Sequence, residues 1–222
     1  MSKILIISAH ADDESFGMGG TLLKLSEVKS NELYWLICTF IWEPKWTKEA
    51  IRSRLNAIDR LNERIGFREI IRWDYKDNCL DQVPLNELQE AMIGVLDRIR
   101  PGVIFTPSRW DFNFEHRMIF DLVEMSSKPY YSGYIKEILA YEIPSSSDAS
   151  FSSGTIFPPN TYYGIEGYLE KKLELMQLFE TELHAHPHQR SREYVQALAV
   201  KRGGESGFHF AEGFHLLRTL RP

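Results

Sequence analysis

The sequence predicts a single α/β domain over residues 1–222, with a Rossmann-like, mostly parallel sheet flanked by helices. Three observations carry this prediction. Runs rich in Ile, Leu, Val and aromatics alternate with stretches of helical period, the pattern of strand–helix–strand units joined by right-handed crossovers. Each strand-like run is bounded by turn or polar residues. A chain of 222 residues with 43% hydrophobic content is long enough to bury one large core.

Residues 3–8, 32–40, 69–74 and 103–107 read as the first four strands. The first helix falls at 20–28. The second spans 47–65, with Thr47 as N-cap and Gly66 as stop signal. The third, 85–100, sets Leu88, Met92, Val95, Leu96 and Ile99 on one face and ends at Pro101-Gly102. Residues 116–126 read as the next helix and 134–141 as another strand. The segment 144–160 is polar and rich in small residues. A loop of that length in a compact domain is either a lid or a plain surface excursion. Helices at 165–183 and 191–201 complete the chain. There is no internal repeat and no domain linker.

Composition excludes several classes. The net charge of -5 leaves no basic stripe for nucleic acid. No apolar run approaches the roughly 20 residues of a bilayer span. The start, Met-Ser-Lys before a strand-like run, predicts no secretory leader. Two cysteines, Cys38 and Cys79, make no disulfide framework and read as packing residues. A cytoplasmic location is the simplest expectation, with a homo-oligomer possible.

The chemistry concentrates at the end of the first strand, in Ala9-His10-Ala11-Asp12-Asp13-Glu14. In open α/β sheets, sites form beyond the carboxyl ends of strands. His10 and Asp13 can bind one metal, with Asp12 beside it as a base. The competing reading is that the three acids serve the N-terminus of the following helix. Gly17-Met18-Gly19-Gly20 does not complete a dinucleotide fingerprint, because Leu22 stands where its third glycine belongs. Those glycines read as turn and close-packing residues. A second cluster, Asp111-Phe-Asn113-Phe-Glu115-His116-Arg117, follows the fourth strand and so shares the same sheet edge.

Together the two clusters resemble the LmbE/PIG-L family of zinc-dependent N-deacetylases. The family's first motif has proline where Ala11 stands; its second ends Asp-His-Arg, here Glu115-His116-Arg117. The stretch Arg202-Gly-Gly-Glu-Ser-Gly207-Phe-His-Phe-Ala211-Glu212-Gly-Phe214 resembles the family's ending, and Phe157-Pro-Pro-Asn160 looks familial too. The resemblance implies His10, Asp13 and His116 as metal ligands and Asp12 as general base. It implies Zn2+, or another divalent metal such as Fe2+. Arg54 and Asp77 match positions that face substrate, and Asp111, Asn113 and His188 join them as candidate substrate contacts. The implied reaction removes an N-acetyl group from an N-acetylglucosamine-type sugar or conjugate. The alternatives are amide hydrolysis on another acylated metabolite, and a metal-containing sugar-binding module impaired in catalysis.

The sequence also departs from the family. Asn113 stands where many members have a histidine, and an amide cannot transfer a proton. Phe210 replaces a frequent tyrosine. His184, His186 and His188 alternate, which suggests an extended segment with the three on one face, able to supply the missing acid or to sit on the surface. Trp42, Trp46 and Trp110 could form a sugar platform or belong to the core.

Overall fold

A computed structural model describes residues 2–149 and 156–221. The strands are β1 (Ser2–Ser8), β2 (Asn31–Phe40), β3 (Glu69–Lys76), β4 (Val103–Pro107), β5 (Glu137–Tyr141), β6 (Thr161–Gly164) and β7 (Ala211–Thr219). The helices are α1 (Asp13–Ser26), α2 (Lys48–Ile65), α3 (Leu85–Ile99), α4 (Phe114–Ser126), α5 (Leu169–Met176) and α6 (Arg192–Ser206). The strands form one sheet in the order β3-β2-β1-β4-β5-β7-β6. β1 to β5 run parallel; β7 is antiparallel to both β5 and β6.

The apolar strands are explained by cover on both faces. Ile4 and Ile6 of β1 face one core layer, with Met18 and Leu22 of α1 and Ile58 and Leu61 of α2. Leu5 and Ile7 face the other, with Leu88 and Met92 of α3 and Ile119 and Leu122 of α4. The order reverses at β1, whose neighbours are β2 on one side and β4 on the other. The carboxyl ends of β1 and β4 therefore diverge into a crevice.

Several elements differ from the sequence expectation. α1 begins at Asp13 rather than at residue 20 and is kinked at Met18 (φ -139°). Its glycines argue against a helix by propensity, yet close packing requires them. A Cβ on Gly17 would lie 2.5 Å from a ring carbon of Tyr141 and 2.6 Å from the carbonyl of Glu142. The predicted helix 165–183 breaks into α5 and a 3-10 turn, Gln177–Glu182, because Phe179 leaves helical geometry to bury its ring beside α2. β5 starts at Glu137 because a turn at Ser132 to Ile135 precedes it. β6 and β7 lacked a strand prediction. α2 has the expected ends: Thr47 accepts from the Ala50 N–H, and Gly66 is left-handed at φ 73°. The lid reading of 144–160 falls partly on 150–155, which lie outside the described residues. Both cysteines are free. Among the described residues no helix is long and apolar enough to cross a membrane.

Candidate metal centre and active site

β1 ends at Ser8, and a tight turn follows in which the N–H groups of Asp12 and Asp13 bond to the His10 carbonyl. Asp12 takes the N-cap position of α1, but its side chain caps nothing. The His10 N–H instead binds Asp13 Oδ2 at 2.9 Å. That bond fixes the Asp13 carboxylate and leaves Oδ1 buried without a hydrogen-bond partner among the described residues. β4 delivers the second half of the site. Asn113 caps α4, accepting the Glu115 N–H at 2.9 Å, so His116 enters the crevice from the first turn of that helix.

His10 Nδ1 and His116 Nε2 lie 3.2 Å apart, and His116 Nε2 is 3.3 Å from Asp13 Oδ1. Zinc bonds of about 2.0–2.1 Å in a tetrahedron give donor–donor edges of about 3.3–3.4 Å. Two edges of the triangle therefore match one divalent ion, and the His10–Asp13 pair, 3.7 Å apart at Oδ2, closes it more loosely; the orphaned Asp13 oxygen belongs to the same group of donors. The distal ring nitrogens are also held. His10 Nε2 meets Glu115 Oε2 at 2.8 Å, and His116 Nδ1 faces Asp111 Oδ2 at 3.1 Å, at an angle too poor for a good hydrogen bond. Carboxylates behind ligating histidines fix ring orientation and raise basicity. Glu115 Oε1 is itself anchored by the Leu80 N–H, and Asp111 Oδ2 by the Ser147 hydroxyl at 2.8 Å.

Metal-free, the two imidazoles hold protons tightly. Burial opposes charge on His116, but Asp13 and Asp111 raise its pKa to about 9. Burial likewise opposes charge on His10, while Asp13, Asp77 and Glu115 push it well above the ordinary value. Burial works against the Asp13 carboxylate, yet the two imidazoles hold it well below the usual range. Behind the turn, burial pushes Glu14 up to about 8; its carboxyl accepts from Ser8 and Ser15.

A cavity of about 190 Å³ opens over the donors, lined by His10, Asp12, Arg54, Asp77, Asn113 and Arg190 among others. Asp12 lies 2.9 Å from Arg190 Nη1 and 3.6 Å from Arg54 Nη1. Glu182 binds both arginines. Burial raises the Asp12 pKa, and the Arg190 charge offsets part of that rise. Asp77 meets Lys45 at 3.1 Å and His10 at 3.5 Å; burial would raise its pKa, but His10 and Lys45 hold it well below the usual range.

The structure thus brings together His10, Asp12, Asp13, His116, Arg54, Asp77 and Asn113. Two candidate substrate contacts fall elsewhere. Asp111 is buried behind His116 and lines no part of the cavity, because its carboxylate is taken up by His116, Ser147 and the Asn113 N–H. His188 is also absent from the lining; its Nδ1 accepts the Arg190 N–H at 3.0 Å. Residues 184–188 form turns rather than an extended run, with the His184 and His188 rings 4.2 Å apart. Trp46 lines the cavity, Trp42 donates to the Asp77 carbonyl, and Trp110 packs on His215. Sequence reasoning missed Arg190 and Glu182. They flank the histidine segment, and an acid and an arginine in a polar stretch carry no local sign that they turn inward.

Fold and donor set together define a Rossmann-like protein with a candidate metal centre at its topological switch point. The chain belongs to the PIG-L family: the family model, described as GlcNAc-PI de-N-acetylase, matches residues 5–126, more than half of the sequence. This is a family of hydrolases. A diacetylchitobiose deacetylase from Thermococcus kodakarensis is 25% identical over 229 residues, covering 98% of this chain and 84% of that protein. The solved N,N'-diacetylchitobiose deacetylase from Pyrococcus horikoshii superposes with a TM-score of 0.75 at 21% identity, over 98% of this chain and 84% of that one. GalB, the 4-carboxy-2-hydroxymuconate hydratase from Pseudomonas putida KT2440, gives a TM-score of 0.73 at 17% identity, over 100% and 98%. At these identities the two solved structures speak for a shared fold.

Proposed function

We propose that this chain hydrolyses the N-acetyl group of an N-acetylglucosamine-type sugar or conjugate, in a reducing, cytoplasmic setting that suits its two free cysteines. The observation that carries the reading is the pairing of a metal-sized donor triangle with a buried carboxylate, Asp12, that neither joins the triangle nor caps its helix. The family model and the chitobiose-deacetylase relative support the acetylated sugar.

A divalent ion held by His10, Asp13 and His116, zinc or alternatively iron(II), would polarise the amide carbonyl and acidify the attacking water. Glu115 and Asp111 hold the two imidazoles in the orientation that presents Nδ1 and Nε2 to it. Asp12 takes the proton of the attacking water as the O–C bond forms. It returns that proton to the amine nitrogen as the C–N bond breaks, releasing acetate and a free amine. Arg190 orients Asp12 through Oδ2. Arg54, Asp77 and Asn113 line the cavity where the sugar would sit. His188 touches the loop that carries Arg190, which gives it at most an indirect part.

The test is acetate release from N-acetylglucosamine and N,N'-diacetylchitobiose, with protein loaded with Zn2+ and with protein treated with chelator. Release that follows metal content supports the reading. Full metal content with no acetate from either sugar would remove it, and would favour another amide substrate or a binding module.

A further inference from the structure

The turn that follows β5 reaches both halves of the candidate site. The Ser146 and Ser147 N–H groups bond to the Ile143 carbonyl, and the Ile143 N–H donates to the Ser147 hydroxyl at 2.9 Å. On the metal side, Ser147 donates to Asp111 behind His116 at 2.8 Å, and the Ser146 carbonyl accepts the Phe112 N–H. Ser145 serves the other half. Its hydroxyl accepts the Arg190 Nε–H at 2.9 Å.

Ser145 has φ 73°. A left-handed backbone disfavours a residue with a Cβ, whereas glycine takes it freely. Glycine would therefore serve the turn better, and what serine adds is an acceptor for Arg190. Among the described residues, Arg190 Nη1 is shared by Asp12 Oδ2 at 2.9 Å and Glu182 Oε2 at 2.8 Å, and Ser145 is the one partner of Nε. The guanidinium also lies over the Phe16 ring, 5.0 Å from its centre. A planar fork held at Nη1 alone can swing about that atom. Held at Nε as well, it is fixed in direction. We infer that Ser145 is a positioning residue for the proposed reaction: it locks Arg190, and through it the Asp12 carboxylate, at the angle from which Asp12 takes and returns the proton. Its role rests on the part proposed above for Asp12. Ser145 itself lines no part of the cavity and acts only through Arg190.

Two measurements on the zinc-loaded full chain test this, one of them independent of turnover. In nitrogen NMR of the arginine side chains, the Arg190 Nε–H signal is assigned by its loss in Arg190→Lys. Its proton should exchange with water roughly tenfold faster in Ser145→Gly than in the parent chain, as expected for a lost charge-assisted hydrogen bond. Ser145→Gly keeps the left-handed turn, so zinc content should stay and Tm should move by no more than about 2 °C, strain relief offsetting the lost bond. For acetate release, its kcat should fall roughly tenfold with KM unchanged. Arg190→Lys keeps a cation beside Asp12 but has no Nε–H; in that background Ser145→Gly should lower kcat no further. An equal fall in both backgrounds, or loss of zinc, would show that Ser145 serves only the turn and would overturn the assignment. Unchanged exchange of the Arg190 signal would overturn it as well. A parent chain that releases no acetate would count against the proposed reaction, and the exchange rates would still decide whether Ser145 holds Arg190.

Discussion

At the scale of single residues, the site separates donors from the groups that aim them. On the proposed ligand set, His10→Ala and His116→Ala each remove one nitrogen donor and should bring metal content well below one equivalent, read by elemental analysis. Asp111→Ala and Glu115→Ala leave the donors in place and free the rings behind them; metal affinity should fall by roughly 10–100-fold. Asp12→Asn preserves shape but cannot accept a proton, so metal content should stay while kcat falls by roughly 10²–10⁴-fold. Normal turnover, or loss of the metal, would show that Asp12 has another role. His10, Asp12, Asp13 and His116 were legible in the sequence because their chemistry is local: two short clusters, each following a strand. Asp111, a candidate substrate contact in the sequence, lies behind His116 and outside the cavity lining, since linear order does not say whether a carboxylate faces the cavity or the back of an imidazole. Arg190 was not legible. Its contact with Asp12 spans 178 positions, and an arginine in a polar turn carries no local sign of burial.

At the scale of elements, the first four strands and the second, third and fourth helices could be read from period and stop signals. In the carboxyl-terminal third only the helix predicted at 191–201, now α6, could be read whole; the strands there could not. β6 and β7 pair antiparallel with each other, and the residues of β7 were read as a motif rather than as a strand. The structure gives that motif a mechanical meaning. The kink at Met18 frees the N–H groups of Gly20 and Thr21, and Glu212 of β7 accepts both, at 3.0 and 2.6 Å. Lys172 neutralises it from α5 at 2.6 Å, with both side chains buried. Arg202 clamps Glu142 in the same region through two hydrogen bonds. Glu212→Ala would strand the Lys172 charge and uncap the second half of α1. Breaking a buried pair costs about 3–5 kcal/mol, so Tm should drop by roughly 10 °C for a chain of this length. An unchanged melting curve would show that α1 does not depend on this clip.

At the scale of the whole molecule, metal and protons compete for one set of atoms. Without metal, His116 titrates near 9 against an ordinary 6.5, and His10 is raised as well. The stability these histidines contribute is therefore complete below about 6.5 and is lost as pH climbs through about 9. A bound ion reverses the trend, because it requires unprotonated nitrogens. Melting curves with chelator should fall between pH 6.5 and 9, and the increment from Zn2+ should widen over the same interval. A constant increment would mean that the donors are already deprotonated at pH 6.5. The clip at Glu212 also sets an order of events as the chain is made. The proposed donors lie between positions 10 and 116, so all of them are translated before the residues that complete their surroundings. The partner of Asp12 at position 190 and the clamp on α1 at position 212 are translated only afterwards. On the ligand set proposed above, a nascent chain can thus gather an ion early, whereas Asp12 is oriented, and the first helix secured, only once positions 190 and 212 have been made.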